Sequence, residues 1–187
     1  IPLEENNNLL THIVLKNVFS NQECLDILNL EGEIQAPNFY AGEYNKKPGE
    51  AKNHAVTKAI NLSKHSLWLY QKLMNIVNET NKKYFNFDLA ELRDVRINQY
   101  LENETLGYHT DITHGTSSTR KLSILTFLSE PDEYKGGKLN WQPALPEFVQ
   151  EKGSVVIFPA FIIHEVEPVT KGTRFSLVAW AHGQHFR

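Results

Sequence analysis

The chain has 187 residues, of which 41% are hydrophobic and 22% are charged, and its formal net charge is −3. This length and composition exclude a largely disordered protein and allow one domain with a buried core. The mild acidity does not indicate nucleic-acid binding, and no apolar run reaches the roughly 18–20 residues of a membrane helix. Cys24 is the single cysteine. We therefore expect a soluble protein without an internal disulfide, in a reducing compartment such as the cytoplasm.

Helical signals concentrate in the first half of the sequence. Ser20 and Glu23 have the spacing of a capping box and apolar residues follow them, which predicts a short helix over about 20–30. A longer helix is predicted over about 61–84, where no Pro or Gly interrupts apolar residues at near-helical spacing. These residues are Leu62, Leu69, Leu73, Ile76 and Val77. We expect this helix to pack on the outside of a sheet. Between the helices, residues 36–54 contain Pro and Gly and predict a strand plus an irregular loop.

The second half of the sequence is typical of β-structure, with short β-branched or aromatic runs separated by turn residues. The runs cover about 95–100, 122–128, 138–141, 153–158, 162–166 and 174–180. This order predicts an α+β, mainly β fold: a β-sandwich or jelly roll with the N-terminal helices packed on one sheet. An open antiparallel sheet is the alternative. We predict one domain over 1–187, in which 1–90 supports a jelly-roll core at 91–187.

The triplet His109-Thr110-Asp111 is the first candidate for chemistry. An imidazole and a carboxylate two residues apart on an extended segment can converge on one divalent first-row metal. With eight histidines and 22 acidic residues in the chain, however, about one such triplet is expected by chance. A solvated histidine beside an aspartate is the alternative.

His164, inside an apolar run, is the second candidate, and its alternative is a hydrogen-bonded histidine of the core. Residues 168–172 predict a hairpin turn, and a hairpin centred on residue 169 would place His164 opposite Arg174 on one face of a sheet. Arg174 with the Ser176 hydroxyl would form a receptor for a carboxylate. A register slip of one residue would turn Arg174 outward.

Together these residues predict a site with two histidines, one carboxylate and a nearby cation. A 2-His-1-carboxylate set leaves coordination positions open and is typical of non-haem Fe(II) oxygenases. The anion at Arg174 would then be a dicarboxylate co-substrate, with its other end on the metal.

Ordered motifs extend this pattern over about residues 91–181. They are Arg96–Tyr100, Gly107–Asp111, Arg120–Ser123, Phe127–Ser129, Tyr134–Leu139, Gly153–Pro159, His164–Val166 and Pro168–Arg174. With these motifs the sequence resembles the iron/2-oxoglutarate-dependent dioxygenases of the prolyl 4-hydroxylase-like group, in particular the PKHD-type hydroxylases. The resemblance implies a double-stranded β-helix fold and assigns His109, Asp111 and His164 as catalytic iron ligands.

The resemblance also assigns the residues that bind the co-substrate. Arg174 would bind the distal carboxylate of 2-oxoglutarate, where collagen-type prolyl hydroxylases usually carry Lys, and Ser176 would complete an Arg-x-Ser pair. Many members have Tyr at the strand position that Phe127 occupies here. We therefore expect Tyr100 to supply the second hydrogen bond to the co-substrate.

The cofactors implied by the resemblance are Fe(II), 2-oxoglutarate and O₂, with ascorbate as an accessory factor. The carboxylate of Asp111 favours hydroxylation over halogenation, with release of succinate and CO₂. We expect the substrate to be a peptidyl residue, with proline first, and no nucleic-acid or membrane partner. One alternative substrate is a free amino acid or other small molecule. Another alternative is a non-catalytic jelly roll that binds a metal or a carboxylate.

Some further residues flank the predicted site. Residues 40–54 and 112–119 would lie beside the His-x-Asp segment and could serve as a substrate lid. Gly136 and Gly137 predict a turn with positive φ angles before the strand at 138–141. Trp141 and Trp180 are expected in the core or at its rim.

Overall fold

The computed structural model describes residues 11–35, 52–53 and 55–185. Helix α1 (Asn21–Asn29) begins after Ser20, whose hydroxyl accepts a hydrogen bond from the Glu23 N–H while the Glu23 carboxylate accepts one from the Ser20 N–H. The predicted capping box and short helix are therefore confirmed. None of the helices in these residues has the length and apolar character needed to cross a membrane.

Helix α2 (Leu67–Thr80) begins six residues later than the start predicted at 61, and a π-helical turn at Asn81–Phe85 follows it. Serine side chains account for the late start. Ser66 Oγ donates a hydrogen bond to the Asn61 carbonyl and accepts one from the Ser63 N–H. Such side chain–backbone bonds compete with the helical pattern, so the chain turns before the helix can begin.

The strands of the described residues are β1 (Ile13–Leu15), β2 (Glu33–Gln35), β3 (Lys52–Asn53), β4 (Val56–Ala59), β5 (Leu89–Tyr100), β6 (Glu104–His109), β7 (Arg120–Phe127), β8 (Tyr134–Gly136), β9 (Leu139–Gln142), β10 (Val155–Pro159), β11 (Ile163–Val166), β12 (Val169–Gly172) and β13 (Arg174–Gly183). The major sheet has the order β1-β10-β7-β13-β5-β4-β2, and the minor sheet has the order β3-β6-β11-β9. Strands β8 and β12 form a separate pair. Most of the predicted strand at 36–54 lies outside the described residues.

The two larger sheets face each other. Leu125, Phe127 and Phe158 of the major sheet form one buried cluster with Leu139 and Trp141 of the minor sheet. Antiparallel sheets packed face to face bury the side chains of their inner faces. The predicted jelly-roll arrangement is therefore the observed one, and the open-sheet alternative is wrong.

Both helices pack on the outer face of the major sheet. Their buried residues join alternate residues of the central strands in a second apolar cluster that includes Ile27, Leu69, Leu73, Val77, Ile97, Ile124 and Leu177. Successive side chains of a strand point to opposite faces. The residues between the outer apolar ones therefore point into the space between the sheets. The predicted packing of the second helix outside the sheet is confirmed.

The predicted hairpin over residues 168–172 is wrong. Strand β12 pairs with β8, whereas β11 pairs with β6 and β9, and β13 pairs with β5 and β7. Val169 is fully buried beside Tyr134, which stabilises an extended segment where a turn was predicted. The chain changes direction at Gly172, where φ is +78° and a β-carbon would lie 2.2 Å from the Glu133 carbonyl oxygen. His164 and Arg174 therefore belong to different sheets.

Candidate metal centre and its pocket

The minor sheet brings the two predicted histidine ligands together. His109 ends β6 and His164 lies directly opposite it on β11, with 4.3 Å between the ring centroids. After β6, the N–H groups of Asp111 and Ile112 both donate to the Ala160 carbonyl. This bend in the chain returns the Asp111 carboxylate to the side of the two imidazoles.

The ligand atoms of these three residues all lie within 4.8 Å of one another. Asp111 Oδ1 is 3.5 Å from His109 Nε2, and Asp111 Oδ2 is 3.6 Å from His164 Nε2. Each Nδ1 lies against a backbone carbonyl, that of Gly107 at 2.8 Å and that of Ile162 at 2.9 Å. Because a carbonyl oxygen only accepts, Nδ1 carries the proton in the neutral ring and the Nε2 lone pair is left for a metal.

Electrostatics favour an ionised carboxylate at this position. Burial raises the pKa of Asp111, but the two imidazoles and a hydrogen bond from Ser123 outweigh it and hold that pKa well below its usual range. Ser123 Oγ donates to Asp111 Oδ2 at 2.6 Å. Burial lowers the pKa of His164, whereas the contact of His109 with Asp111 outweighs burial and raises the pKa of His109. One carboxylate and two imidazoles form a donor set that fits Fe(II).

The three residues lie in a cavity of about 300 Å³ between the sheets. Tyr100 and Ser176, both predicted to bind the co-substrate, also line this cavity. They project from β5 and β13 of the major sheet, whereas the two histidines project from the minor sheet. The residues that were expected on one face of a hairpin thus converge from two facing sheets.

Arg174 is buried next to Tyr100 and Ser176. Its side chain is 1% exposed, Nη1 donates to Ser176 Oγ at 3.3 Å, and Cζ lies 5.4 Å from the Tyr100 ring centroid. Within the described part of the chain, Arg174 Nε and Nη2 have no hydrogen-bond partner. Buried guanidinium N–H groups without acceptors are costly, so these two nitrogen atoms indicate the place of an anion.

Phe127 and Gly137 are neighbours of Arg174. Phe127, at the position where the resemblance led us to consider a tyrosine, lies 5.8 Å from Arg174 Cζ by its ring centroid and offers no hydroxyl there. Gly136 and Gly137 have φ angles of +73° and +60°, as the turn prediction required. Gly137 has a second role, because a β-carbon on it would lie 2.8 Å from Arg174 Cδ.

Sequence reasoning missed several residues of the pocket. Ser123 had no assigned role, although alternation along β7 places a hydroxyl among apolar inner residues and could have indicated one. Arg96 and Arg120 also line the cavity, together with Trp180, which was expected only in the core or at its rim. Ser117, from the predicted lid segment 112–119, lines it too, whereas nearly all of 40–54 lies outside the described residues.

Part of the chain matches known proteins in sequence. Residues 95–182 match the model of the 2OG-Fe(II) oxygenase superfamily. A PKHD-type hydroxylase of Acinetobacter baumannii is 40% identical over 91 residues, which are 44% of this chain and 40% of that protein. One from Synechococcus sp. is 32% identical over 95 residues, 49% of this chain and 43% of that protein. These matches thus span less than half of the relatives' length.

Solved structures match nearly the whole chain at low identity. A prolyl-4-hydroxylase of Pseudomonas putida has a TM-score of 0.65 at 16% identity, with 93% of both chains covered. A prolyl hydroxylase of Trichoplax adhaerens, in complex with a peptide fragment of the hypoxia inducible factor oxygen degradation domain, has a TM-score of 0.70 at 16% identity, with 95% of this chain and 84% of that chain covered. The double-stranded β-helix is confirmed, and the matches support the resemblance to PKHD-type 2OG-Fe(II) oxygenases. Fe(II), 2-oxoglutarate and O₂ are the cofactors of that class, whereas ascorbate stays a prediction.

Proposed function

We propose that this chain, which carries a 2OG-Fe(II) oxygenase domain at residues 95–182, hydroxylates its substrate with Fe(II), O₂ and 2-oxoglutarate. One observation carries the proposal. A 2-His-1-carboxylate set lines the cavity, and Ser176 of the facing sheet lines it too and accepts a hydrogen bond from the buried Arg174, whose Nε and Nη2 have no partner among the residues described. A ligand with a chelating end and a distal carboxylate would satisfy both groups.

His109, Asp111 and His164 would hold the metal. Structural metal sites are normally closed by a fourth protein ligand, whereas catalytic sites leave positions open. Within the described residues, the cluster of possible ligands contains these three side chains and no fourth. The open site supports catalysis over a non-catalytic metal-binding module. Bound Fe(II) would supply the chemistry that uses O₂ to convert a substrate C–H bond to C–OH while 2-oxoglutarate becomes succinate and CO₂.

The other pocket residues would bind and orient. The Arg174 guanidinium and the Ser176 hydroxyl would bind the distal carboxylate of 2-oxoglutarate through charge-assisted hydrogen bonds. Tyr100 would contact the co-substrate from the adjacent strand. Ser123 holds the Asp111 carboxylate by the hydrogen bond described above. Leu125 and Phe158 line the cavity and reduce its access to water.

For the substrate, we propose a peptidyl residue, with proline first. Similarity of fold to prolyl hydroxylases, one of which was solved with a peptide, supports this choice. A free amino acid or similar small molecule is the second candidate. It is favoured by Arg96 and Arg120, because two guanidinium groups at the cavity suit a ligand that carries its own carboxylate. We also propose that residues 1–187 form one domain in a reducing compartment.

The test measures succinate from 2-oxoglutarate with and without Fe(II), together with a mass increase of one oxygen atom in candidate substrates. The panel contains prolyl peptides and free amino acids. We expect succinate formation that requires Fe(II) and is stimulated by one class of substrate. His109→Ala should abolish it, whereas His65→Ala, an exposed histidine before α2, serves as the matched control.

Two results would overturn parts of the proposal. Fe(II) or Mn(II) binding without succinate formation from any substrate would favour the non-catalytic module. Succinate formation stimulated only by free amino acids would retain the oxygenase and exclude the peptidyl substrate.

A further inference from the structure

One wall of the cavity combines Arg96, Arg120 and Trp180, which we call the cationic wall. Both guanidinium groups contact the same indole. Arg120 Cζ lies 3.8 Å from the Trp180 ring centroid, and Arg96 Cζ lies 4.8 Å from it. None of the three residues is a metal ligand or a contact of Arg174 in the site described above. The proposed binding of Fe(II) and 2-oxoglutarate therefore does not use these three residues.

Arg120 is held in place by two other residues. Its Nη2 donates to Asp94 Oδ2 at 2.7 Å, and its Nη1 donates to the Asp111 carbonyl oxygen at 3.1 Å. Asp94 has a φ angle of +56° at an irregularity in the pairing of β5 with β13, which directs its carboxylate toward Arg120. A side chain fixed at two points forms a rigid part of the wall.

The wall also contains buried donors without acceptors. Trp180 is 7% exposed, and in the described part of the molecule its Nε1 and the Nε of Arg120 are buried without a hydrogen-bond partner. Indole and guanidinium N–H groups only donate. Asp111 is the single acidic side chain among the described residues that line the cavity. A ligand that suits this wall must bring acceptors. Asp94 neutralises Arg120, so the second guanidinium, that of Arg96, gives the wall and Asp94 together a net positive charge that favours a negatively charged ligand.

We propose that the cationic wall binds a carboxylate of the substrate, so that the enzyme selects substrates with a negative charge close to the hydroxylated carbon. This inference rests on the proposed function, whose substrate it specifies. The planar guanidinium of Arg96 matches the geometry of a carboxylate, and the Nε of Arg120 and the Nε1 of Trp180 offer further donors. The carboxylate belongs either to a free amino acid or to an acidic residue beside the target residue of a peptide.

The experiment compares probes that differ only in this charge. L-Proline is paired with L-prolinamide, and a peptide with Glu before Pro is paired with the same peptide carrying Gln. Stimulated succinate formation and hydroxylated product are measured for each probe with the Fe(II)-loaded protein. Binding of each probe to protein loaded with Zn(II) and 2-oxoglutarate is measured by calorimetry. We expect the charged member of one pair to be favoured about tenfold or more in kcat/KM and in Kd.

Two variants connect this preference to the wall. Arg96→Gln removes a charge, and Trp180→Phe removes the indole N–H but keeps a ring. Each should reduce the preference for the charged probe by severalfold or more. The controls are Arg93→Gln, which is an exposed position on the same strand, and Trp68→Phe on α2, which packs on the outer cluster. Both should keep the preference of the parent protein.

The outcomes separate the two proposals. Absence of succinate under every condition refutes the proposed function, while the Zn(II) arm still tests the wall. Equal or absent binding of both members in every pair overturns the inference, as does a preference that survives in both Arg96→Gln and Trp180→Phe. A preference confined to the proline pair identifies a free amino acid as the source of the carboxylate, and one confined to the peptide pair identifies an acidic peptide.

Discussion

The two faces of the major sheet are built from the same strands, but one face packs against helices and the other faces the cavity. On β13, Leu177 and Ala179 point outward into the apolar cluster beneath the helices, whereas Arg174 and Ser176 point inward. The outer face offers only packing. The inner face holds buried polar groups that, in the described residues, still include unpartnered nitrogen atoms. Neighbouring residues of one strand therefore differ in role: one contributes to stability and the next to ligand binding. Substitutions one position apart should have different consequences.

The largest effect is expected on the inner side of the sandwich, at the metal. His164→Ala removes one of three proposed ligands, and loss even of an outer-shell partner typically costs about 10–100-fold in metal affinity. We therefore expect Fe(II) affinity to fall by more than about 100-fold, measured by calorimetry under anaerobic conditions. Unchanged affinity would show that His164 is only a buried histidine of the core.

Arg174→Ala tests the inner face of the major sheet. Loss of a desolvated, charge-assisted contact should weaken 2-oxoglutarate binding by about 2–5 kcal/mol. Arg174→Lys keeps the charge without the planar fork and should have a smaller effect. Titration of the metal-loaded protein with 2-oxoglutarate measures both. If Arg174→Ala binds 2-oxoglutarate like the parent, the co-substrate is anchored elsewhere.

Leu73→Ala makes the opposite change on the outer side. Leu73 of α2 is fully buried, so its truncation should lower the free energy of unfolding by about 2–5 kcal/mol. The KM for 2-oxoglutarate should stay near the parent value, because Leu73 does not line the cavity. Urea denaturation and succinate assays check the two expectations. A large change in KM in the folded variant would refute the separation of the two faces.

Ser123→Ala sharpens the comparison, because it changes a residue of the inner face that contacts neither the metal nor the co-substrate directly. Loss of its hydrogen bond to Asp111 should weaken Fe(II) binding by about 10–100-fold, as for other outer-shell partners. Ser123→Thr keeps a hydroxyl and should recover part of the loss. Equal Fe(II) affinities in Ser123→Ala and the parent protein would contradict a positioning role.

Local features of the fold were predictable from the sequence. The capping box at Ser20 and the β-branched runs of the second half depend on neighbouring residues, and both were confirmed. The start of α2 was missed because the Ser66 side chain forms two hydrogen bonds with the backbone ahead of it. The hairpin prediction was wrong because strand pairing is non-local. Val169 of β12 is buried beside Tyr134 of β8, and these two strands pair.

The candidate site was predictable in its residues but not in its geometry. His109, Asp111, His164 and Arg174 were chosen for their chemistry. The structure places the first three on one cavity, which is also lined by Ser176, the hydrogen-bond partner of Arg174. The predicted reason, a shared hairpin face, was wrong, because facing sheets bring them together. The role of Ser123 was missed although the alternation along β7 could have indicated it. The cationic wall could not be identified, since an isolated arginine in a sequence carries no sign of what lies opposite it.

The two histidines proposed as iron ligands and Arg174 lie on different sheets, which has a mechanical consequence. In the proposed binding mode, 2-oxoglutarate would connect the minor sheet, through the metal, to the major sheet, and so act as a non-covalent cross-link across the sandwich. A ligand that binds only the folded state stabilises it by about 2.7 kcal/mol at 100 times its Kd. Amide hydrogen exchange should then slow in β6 and β11 as well as in β13 when the co-substrate is added to the metal-loaded protein.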